Sequence, residues 1–261
     1  MADTSRVAVI TGGAGGLGIA IAARLSRDAT VVLVDLDEAR VEAAIRGPLV
    51  GCDGITGIAC DVSDSESVGQ TVSSIVDDLG RIDVLVNAAG IAGLTPLLET
   101  TPEAWERTLA VNLNGTFYCA QAVGRVMAGQ GGGHIVNIAS TSGVRAGFAR
   151  AAYGTSKAGV IHLTRQLALE LAPMGVSVNA VGPGPVATEL ALSTHTPEMR
   201  EDYHATIPQA RYATPEEVAN AVAFLASPTT GYINGETLFV DGGFLASGVD
   251  VRSAQARGNL I

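Results

Sequence analysis

Hydrophobic residues in this chain fall into short unbroken runs, separated by stretches where they recur every three or four positions. The runs cover residues 6–10, 30–34, 55–60, 82–86, 134–139, 176–181 and 237–240. A strand with one wet face alternates apolar and polar side chains, whereas a parallel strand covered on both faces does not. These runs therefore predict buried parallel strands. Between them the period changes. Val68, Val72, Ile75, Val76 and Leu79 line one side of a helix. Thr214-Pro215-Glu216-Glu217 opens another, with a capping threonine, a proline in the first turn and a glutamate three residues after the threonine. Strand and helix alternating along the whole chain predict an α/β fold, a doubly wound sheet with helices on both faces. No repeat or linker divides it, so residues 1–261 read as one domain.

Two stretches break the alternation. Residues 188–211 are polar and too long for an ordinary connection, which suggests a lid over a binding site. Residues 244–261 follow the last strand with little periodicity. They read as a frayed end or as a docking arm anchored by Phe244, Leu245, Val249, Val251, Leu260 and Ile261.

Composition narrows the function. Of 261 residues, 47% are hydrophobic, and the net charge is −10. No basic face for a nucleic acid is evident. No apolar run reaches the ~18 residues of a membrane span, and residues 1–6 lack the apolar core of a secretory signal. The three cysteines, Cys52, Cys60 and Cys119, show no CxxC spacing and read as reduced thiols, which points to the cytoplasm. The four histidines form no HExxH, so no catalytic metal is expected.

Candidate chemistry sits in two places. Thr11-Gly12-Gly13-Ala14-Gly15-Gly16-Leu17-Gly18 follows the first strand directly and leads into a helix over 17–27. Glycines there let backbone approach a pyrophosphate, and the helix N-terminus favours its charge. Asp35 closes the second strand, seventeen residues after Gly18. Its carboxylate can accept hydrogen bonds from ribose hydroxyls, or it can cap the next helix. A 2′-phosphate would face Asp35, with Asp37 and Glu38 nearby and no basic residue at Gly15 or Leu36. NAD is therefore expected rather than NADP. The second place is Tyr153 and Lys157, four apart and so on one helix face. Read alone, such a pair is a surface contact. Beside a dinucleotide loop it points to hydride transfer.

With these residues in view, the chain resembles the classical short-chain dehydrogenases/reductases to about Phe244. The resemblance rests on Thr11 to Gly18, Asp61-Val62, Asn87-Ala88-Ala89-Gly90, Asn112, Ser140, Tyr153-x-x-x-Lys157, Asn179 and Pro183-Gly184. It implies a seven-stranded parallel sheet with three helices on each face. It also implies roles. Gly12, Gly16, Leu17 and Gly18 would cradle the cofactor, with Asp35 and Leu36 at its ribose. Asp61 and Val62 would flank the adenine, and Asn87, Ala88 and Gly90 would line the cofactor site. Ser140 would hold the substrate oxygen, Tyr153 would be the acid/base, and Lys157 would lower its pKa; Tyr153 and Lys157 would also contact the cofactor, the Lys157 ammonium at its ribose. Asn112 would hold a water leading from Lys157, and Pro183, Val186 and Thr188 would border the nicotinamide amide. Each has a plainer reading: Ser140 as a strand-end serine, Asn112 as a residue that caps a turn or satisfies backbone groups inside a helix, Asn87 as a turn residue, Thr188 as a cap for the first turn of the lid. A homotetramer is implied as well.

The implied reaction interconverts a secondary alcohol and a ketone. The substrate is less legible. A lid carrying Glu189, Ser193, His195, Glu198, Arg200, Asp202, Tyr203 and His204 points to a small polar hydroxy compound such as a sugar acid or polyol. Arg145 and Arg150 can attract an anionic group there, or make structural pairs. The alternatives are a 3-oxoacyl-thioester reductase and a non-catalytic NAD-binding sensor. The sensor would usually have lost Tyr153 or Lys157.

Overall fold

The structure, a computed structural model, describes residues 6–247. Its strands are β1 (Arg6–Thr11), β2 (Ala29–Asp35), β3 (Ile55–Ala59), β4 (Val84–Asn87), β5 (Gly133–Ile138), β6 (Val176–Pro183) and β7 (Thr237–Val240). Among the described residues they form one seven-stranded sheet in the order β3-β2-β1-β4-β5-β6-β7, and every neighbouring pair is parallel. The helices are α1 (Gly16–Leu25), α2 (Glu38–Arg46), α3 (Ser65–Leu79), α4 (Pro102–Leu109), α5 (Gly115–Gln130), α6 (Ala151–Leu171), α7 (Glu189–Thr194), α8 (Pro197–Thr206) and α9 (Pro215–Leu225).

The two faces of the sheet bury separate cores. On one, Ile21, Ala22 and Leu25 of α1, Val41 and Ala44 of α2, and Val218 and Val222 of α9 pack on Ile10, Val31 and Leu33. On the other, Val68, Val72 and Ile75 of α3, Val123 and Met127 of α5, and Ala168 of α6 pack on Val9, Val32 and Leu85. Three helices thus cover each face. Strands β1, β4 and β6 are buried at nearly every position, as unbroken apolar runs require.

β3 departs from that expectation. Thr56, Gly57 and Ala59 are exposed, because β3 is the sheet edge and has a neighbour on one side alone. Residues 188–211 are not an irregular loop. They fold into α7 and α8, whose first turns are capped by Thr188 and Thr196. The Thr214–Glu217 capping box of α9 is formed as expected. Of the C-terminal stretch, Phe244 packs on its own chain against Tyr203 and Arg145. Val249, Val251, Leu260 and Ile261 lie outside the described residues.

Candidate active site

The strand order reverses between β1 and β4. Helices after the two strands leave on opposite faces there, which opens a crevice at the carboxyl ends of the strands. A single cleft follows that edge from Asp35 to the segment carrying α7 and α8.

At one end the glycine loop forms the floor. Gly12 has φ +65°, and a Cβ there would lie 2.7 Å from the Ala89 backbone. At Gly18 a Cβ would run into the Gly12 carbonyl oxygen, so the loop closes on itself. α1 starts at Gly15 with no side-chain cap, in contrast to α2, α3, α4 and α9, which Asp37, Asp64, Thr101 and Thr214 cap. The first-turn N–H groups of α1 are therefore available to an anion. Glycines without room for a side chain and an uncapped helix end fit a dinucleotide pyrophosphate.

Asp35 reaches this loop. Its carboxylate accepts from the Ala14 N–H at 3.1 Å and from the Leu36 N–H at 2.9 Å. It does not cap α2; Asp37 does, accepting from Ala39. Gly16, Leu17, Leu36, Asp61, Val62, Ala88 and Gly90 also line the cleft, as do Pro183, Val186 and Thr188 on its far wall. Thr188 is at once a cleft residue and the cap of α7, accepting from Ala191. Asp61 is braced by a turn, its carboxylate accepting from the Ser63 N–H and hydroxyl.

Asn87 stands apart from the cleft wall. It is buried, and its amide donates to the Asn137 side chain at 2.9 Å, which donates in turn to Thr164. That chain of polar groups ties β4, β5 and α6 together behind the wall. Asn179 is also structural, bonding to Ile233 and Glu236.

The other end of the cleft holds Ser140, Tyr153 and Lys157. Ser140 follows β5 and caps the short turn Thr141–Gly143, its oxygen accepting from the Ser142 N–H. Tyr153 lies in the first turn of α6 and is half-buried on the cleft wall. Enclosure raises its phenol above the ordinary value; the Ser140 hydrogen bond and the Arg150 charge oppose that rise, and Tyr203 adds to it. Lys157 is buried one turn on and is the single lysine of the chain. Its ammonium donates to the Ile138 carbonyl at 2.7 Å and lies 5.9 Å from the centre of the Tyr153 ring. Burial brings its pKa down to about 8.

Asn112 sits in a π turn, Ala110–Asn114, between α4 and α5. Its side chain accepts from the Ile91 N–H and donates to the Ile91 carbonyl and to Ser156. It thus pins the loop after β4 to α6, directly under Lys157. A Cβ at Gly90 would lie 3.3 Å from Asn112 Oδ1 and 3.7 Å from Lys157 Nζ, so the three residues meet.

Some cleft residues escaped the sequence reading. Arg40, in the first turn of α2, lines the same end of the cleft as Asp35 and Leu36. Its signal was its place five residues after Asp35, where a helix start faces the same strand end. Ser142 and Arg107 also line the cleft. Arg145 lines the cleft too, while donating to the Phe244 carbonyl and lying 4.3 Å over the Phe244 ring.

A model of a family described as enoyl-(acyl carrier protein) reductase matches residues 12–245. The chain is 42% identical to a D-threitol dehydrogenase of Mycolicibacterium smegmatis over 92% of each chain. The chain belongs to the short-chain dehydrogenase/reductase family. It is accordingly an oxidoreductase acting between alcohols and ketones. Another relative in the family, an NAD-dependent glycerol dehydrogenase of Listeria innocua, is 38% identical over 92% of this chain and 94% of its own length. The crystal structure of an actinorhodin polyketide ketoreductase with NADPH superposes with a TM-score of 0.88 at 35% identity, covering 94% of this chain and 99% of that one.

Proposed function

We propose that this short-chain dehydrogenase/reductase is an NAD-dependent dehydrogenase that interconverts a secondary alcohol and a ketone in a small polar compound, a polyol or sugar acid. The observation that carries the NAD reading is Asp35. Its carboxylate stands on the ribose end of the cleft, at the tip of β2, and holds the glycine loop through Ala14. A 2′-phosphate of up to about two negative charges would meet that carboxylate. The likeness to a threitol and a glycerol dehydrogenase supports the polyol class.

Gly12, Gly16, Leu17 and Gly18 would hold the pyrophosphate, Asp35 and Leu36 the adenosine ribose, and Asp61 and Val62 the adenine. Ala88, Gly90, Pro183, Val186 and Thr188 would border the rest of the cofactor. Asn87 would act from behind, by fixing the end of β4. When bound, the oxidised nicotinamide would supply the acceptor for a hydride.

The chain's own part is proton handling and orientation. Ser140 would hold the substrate oxygen at a fixed point. Tyr153 would take the hydroxyl proton during oxidation and return it during reduction. An enclosed phenol resists ionisation, so nearby positive charge is required. A unit charge ~4 Å away contributes roughly 4 kcal/mol at an effective dielectric of 20, about three pKa units at most. Lys157 would supply such charge. Its pKa of about 8 keeps it largely protonated at neutral pH. Asn112 would keep the loop after β4 seated over Lys157.

A second reading, reduction of a 3-oxoacyl thioester with NADPH, draws on Arg40 at the ribose end. One experiment separates the two. kcat/KM is measured with NAD and NADP on threitol, glycerol and sugar acids, and with NADH and NADPH on a 3-oxoacyl thioester. The proposal expects NAD-linked oxidation of a polyol or sugar acid as the highest value. NADPH-linked thioester reduction as the best activity would replace it.

A further inference from the structure

Arg150 has no part in the catalytic roles proposed above, yet it occupies a singular place. It immediately precedes α6, three residues before Tyr153, and its guanidinium carbon lies 5.4 Å from the centre of the Tyr153 ring. That is nearer than the Lys157 ammonium at 5.9 Å. Its other contact runs away from the sheet. Arg150 lies 3.0 Å from His195 Nε2. A guanidinium donates and never accepts, so Nε2 is the acceptor. The His195 proton is then on Nδ1, which donates to the Tyr212 hydroxyl at 2.8 Å.

His195 is itself firmly held. It ends α7, is 7% exposed, and stacks on the Tyr203 ring of α8 at 5.3 Å and 21°. Arg200 of α8 donates to the His195 and Leu192 carbonyls. Tyr212, from the segment before α9, meets His195, Tyr203 and His204 edge-on. A partly enclosed network centred on the buried His195 and Tyr212 fixes orientation. It links residues 188–211, which carry α7 and α8, to the first turn of the catalytic helix.

We propose that Arg150 is a positioning residue which, latched by His195, holds a second positive charge against the Tyr153 phenol, so that the seating of α7 and α8 sets how readily the phenol gives up its proton. The inference rests on the reading of Tyr153 as the acid/base. The groups facing Tyr153 are Ser140, Arg150, Lys157 and Tyr203. Those facing His195 are Arg150, Arg200, Tyr203 and Tyr212. Burial and the two arginines hold His195 below its ordinary pKa. It therefore stays neutral, and able to accept from Arg150, across the neutral range. In acid, a protonated His195 has no lone pair for Arg150, and the latch opens.

The test reads acidity directly. Tyrosinate absorbance of the cofactor-free protein is titrated against pH, with the Tyr153→Phe protein subtracted so that only Tyr153 remains. Arg150→Ala should move that titration up by on the order of one pH unit. Arg150→Lys should restore most of the shift, and His195→Ala should move it in the same direction as Arg150→Ala. In turnover, the rising limb of kcat against pH for alcohol oxidation should shift with the titration while KM for a neutral polyol stays nearly constant. An unchanged Tyr153 titration in folded Arg150→Ala protein overturns the proposal. So does a change confined to KM for anionic substrates, which would make Arg150 a substrate contact. A protein that turns over no alcohol would refute the dehydrogenase reading but leave the spectroscopic result standing on its own.

Discussion

The roles proposed for Tyr153 and Lys157 differ, and substitution should separate them. Tyr153→Phe removes the proton-transfer group but none of the cofactor cradle. It is expected to lower kcat by about 10²–10⁴-fold and to leave NADH affinity nearly intact, as read by NADH fluorescence titration. Lys157→Ala should damage both. Lys157 also makes a pH prediction. An ammonium whose pKa falls from 10.5 to about 8 on burial binds fewer protons folded than unfolded between those values. Its cost is fully present below pH 8 and is relieved as pH rises to 10.5. Thermal stability relative to a Lys157→Met protein should therefore improve across that window; a constant difference would show that Lys157 is not desolvated. Asp35 and Arg40 oppose each other at the ribose end. Asp35→Ala should narrow the preference for NAD by about tenfold, the effect of ~1.4 kcal/mol. Arg40→Ala should lower use of NADP and leave NAD unchanged in kcat/KM comparisons. At this scale spacing put Tyr153 and Lys157 on one face of α6 and the glycines directly after β1, whereas Ser140 was reached through the family resemblance. The sequence reading missed Arg40 and the contact between Arg150 and His195. That Arg40 lines the same cleft as Asp35, and that His195 reaches Arg150, depends on how α2 and α7 pack, which no local spacing encodes.

The elements around the cleft explain why some glycines are obligatory. The β1–α1 turn folds so tightly that a Cβ at Gly18 meets the Gly12 carbonyl, whereas one at Gly16 would sit 3.6 Å from Thr188 in ordinary contact. Gly18→Ala should therefore destabilise the fold by roughly 1–3 kcal/mol and weaken cofactor binding. Gly16→Ala should leave Tm unchanged and affect only binding. Thermal melts and NADH titration of the two proteins check this, and equal losses of Tm would refute it. The runs of apolar residues marked every strand because five of the seven have neighbours on both sides, while β7, an edge strand, is only partly buried. β3, at the edge, kept a similar composition but not the burial. α7 and α8 were not foreseen inside residues 188–211. Their sequence is polar and lacks a strong helical stripe, and their caps, Thr188 and Thr196, were the available signals.

For the whole molecule, exposed apolar residues argue for assembly. At the β7 edge of the sheet Tyr232 is fully exposed, Phe224 of α9 is 52% exposed and Leu238 is 38% exposed. A separate set lies on the other core's helices, with Leu169 of α6 72% exposed and Phe117 of α5 37% exposed. Isolated surface apolar residues are ordinary, but exposed ones on an unpaired edge strand and on the helices that cover a sheet suit interaction surfaces. Two such regions on one chain suit two independent two-fold contacts, and two two-folds generate a tetramer. The expected mass by light scattering at micromolar concentration is therefore four chains. Phe224→Glu should halve it to a dimer by disabling the β7 side alone, and adding Leu169→Glu should release monomers. Residues 248–261 bear on the same question, since Val249, Val251, Leu260 and Ile261 supply apolar anchors in sequence. Deleting them should lower the mass by light scattering or raise KM. A wild-type monomer, or a Phe224→Glu protein that stays tetrameric, would overturn this account of the assembly.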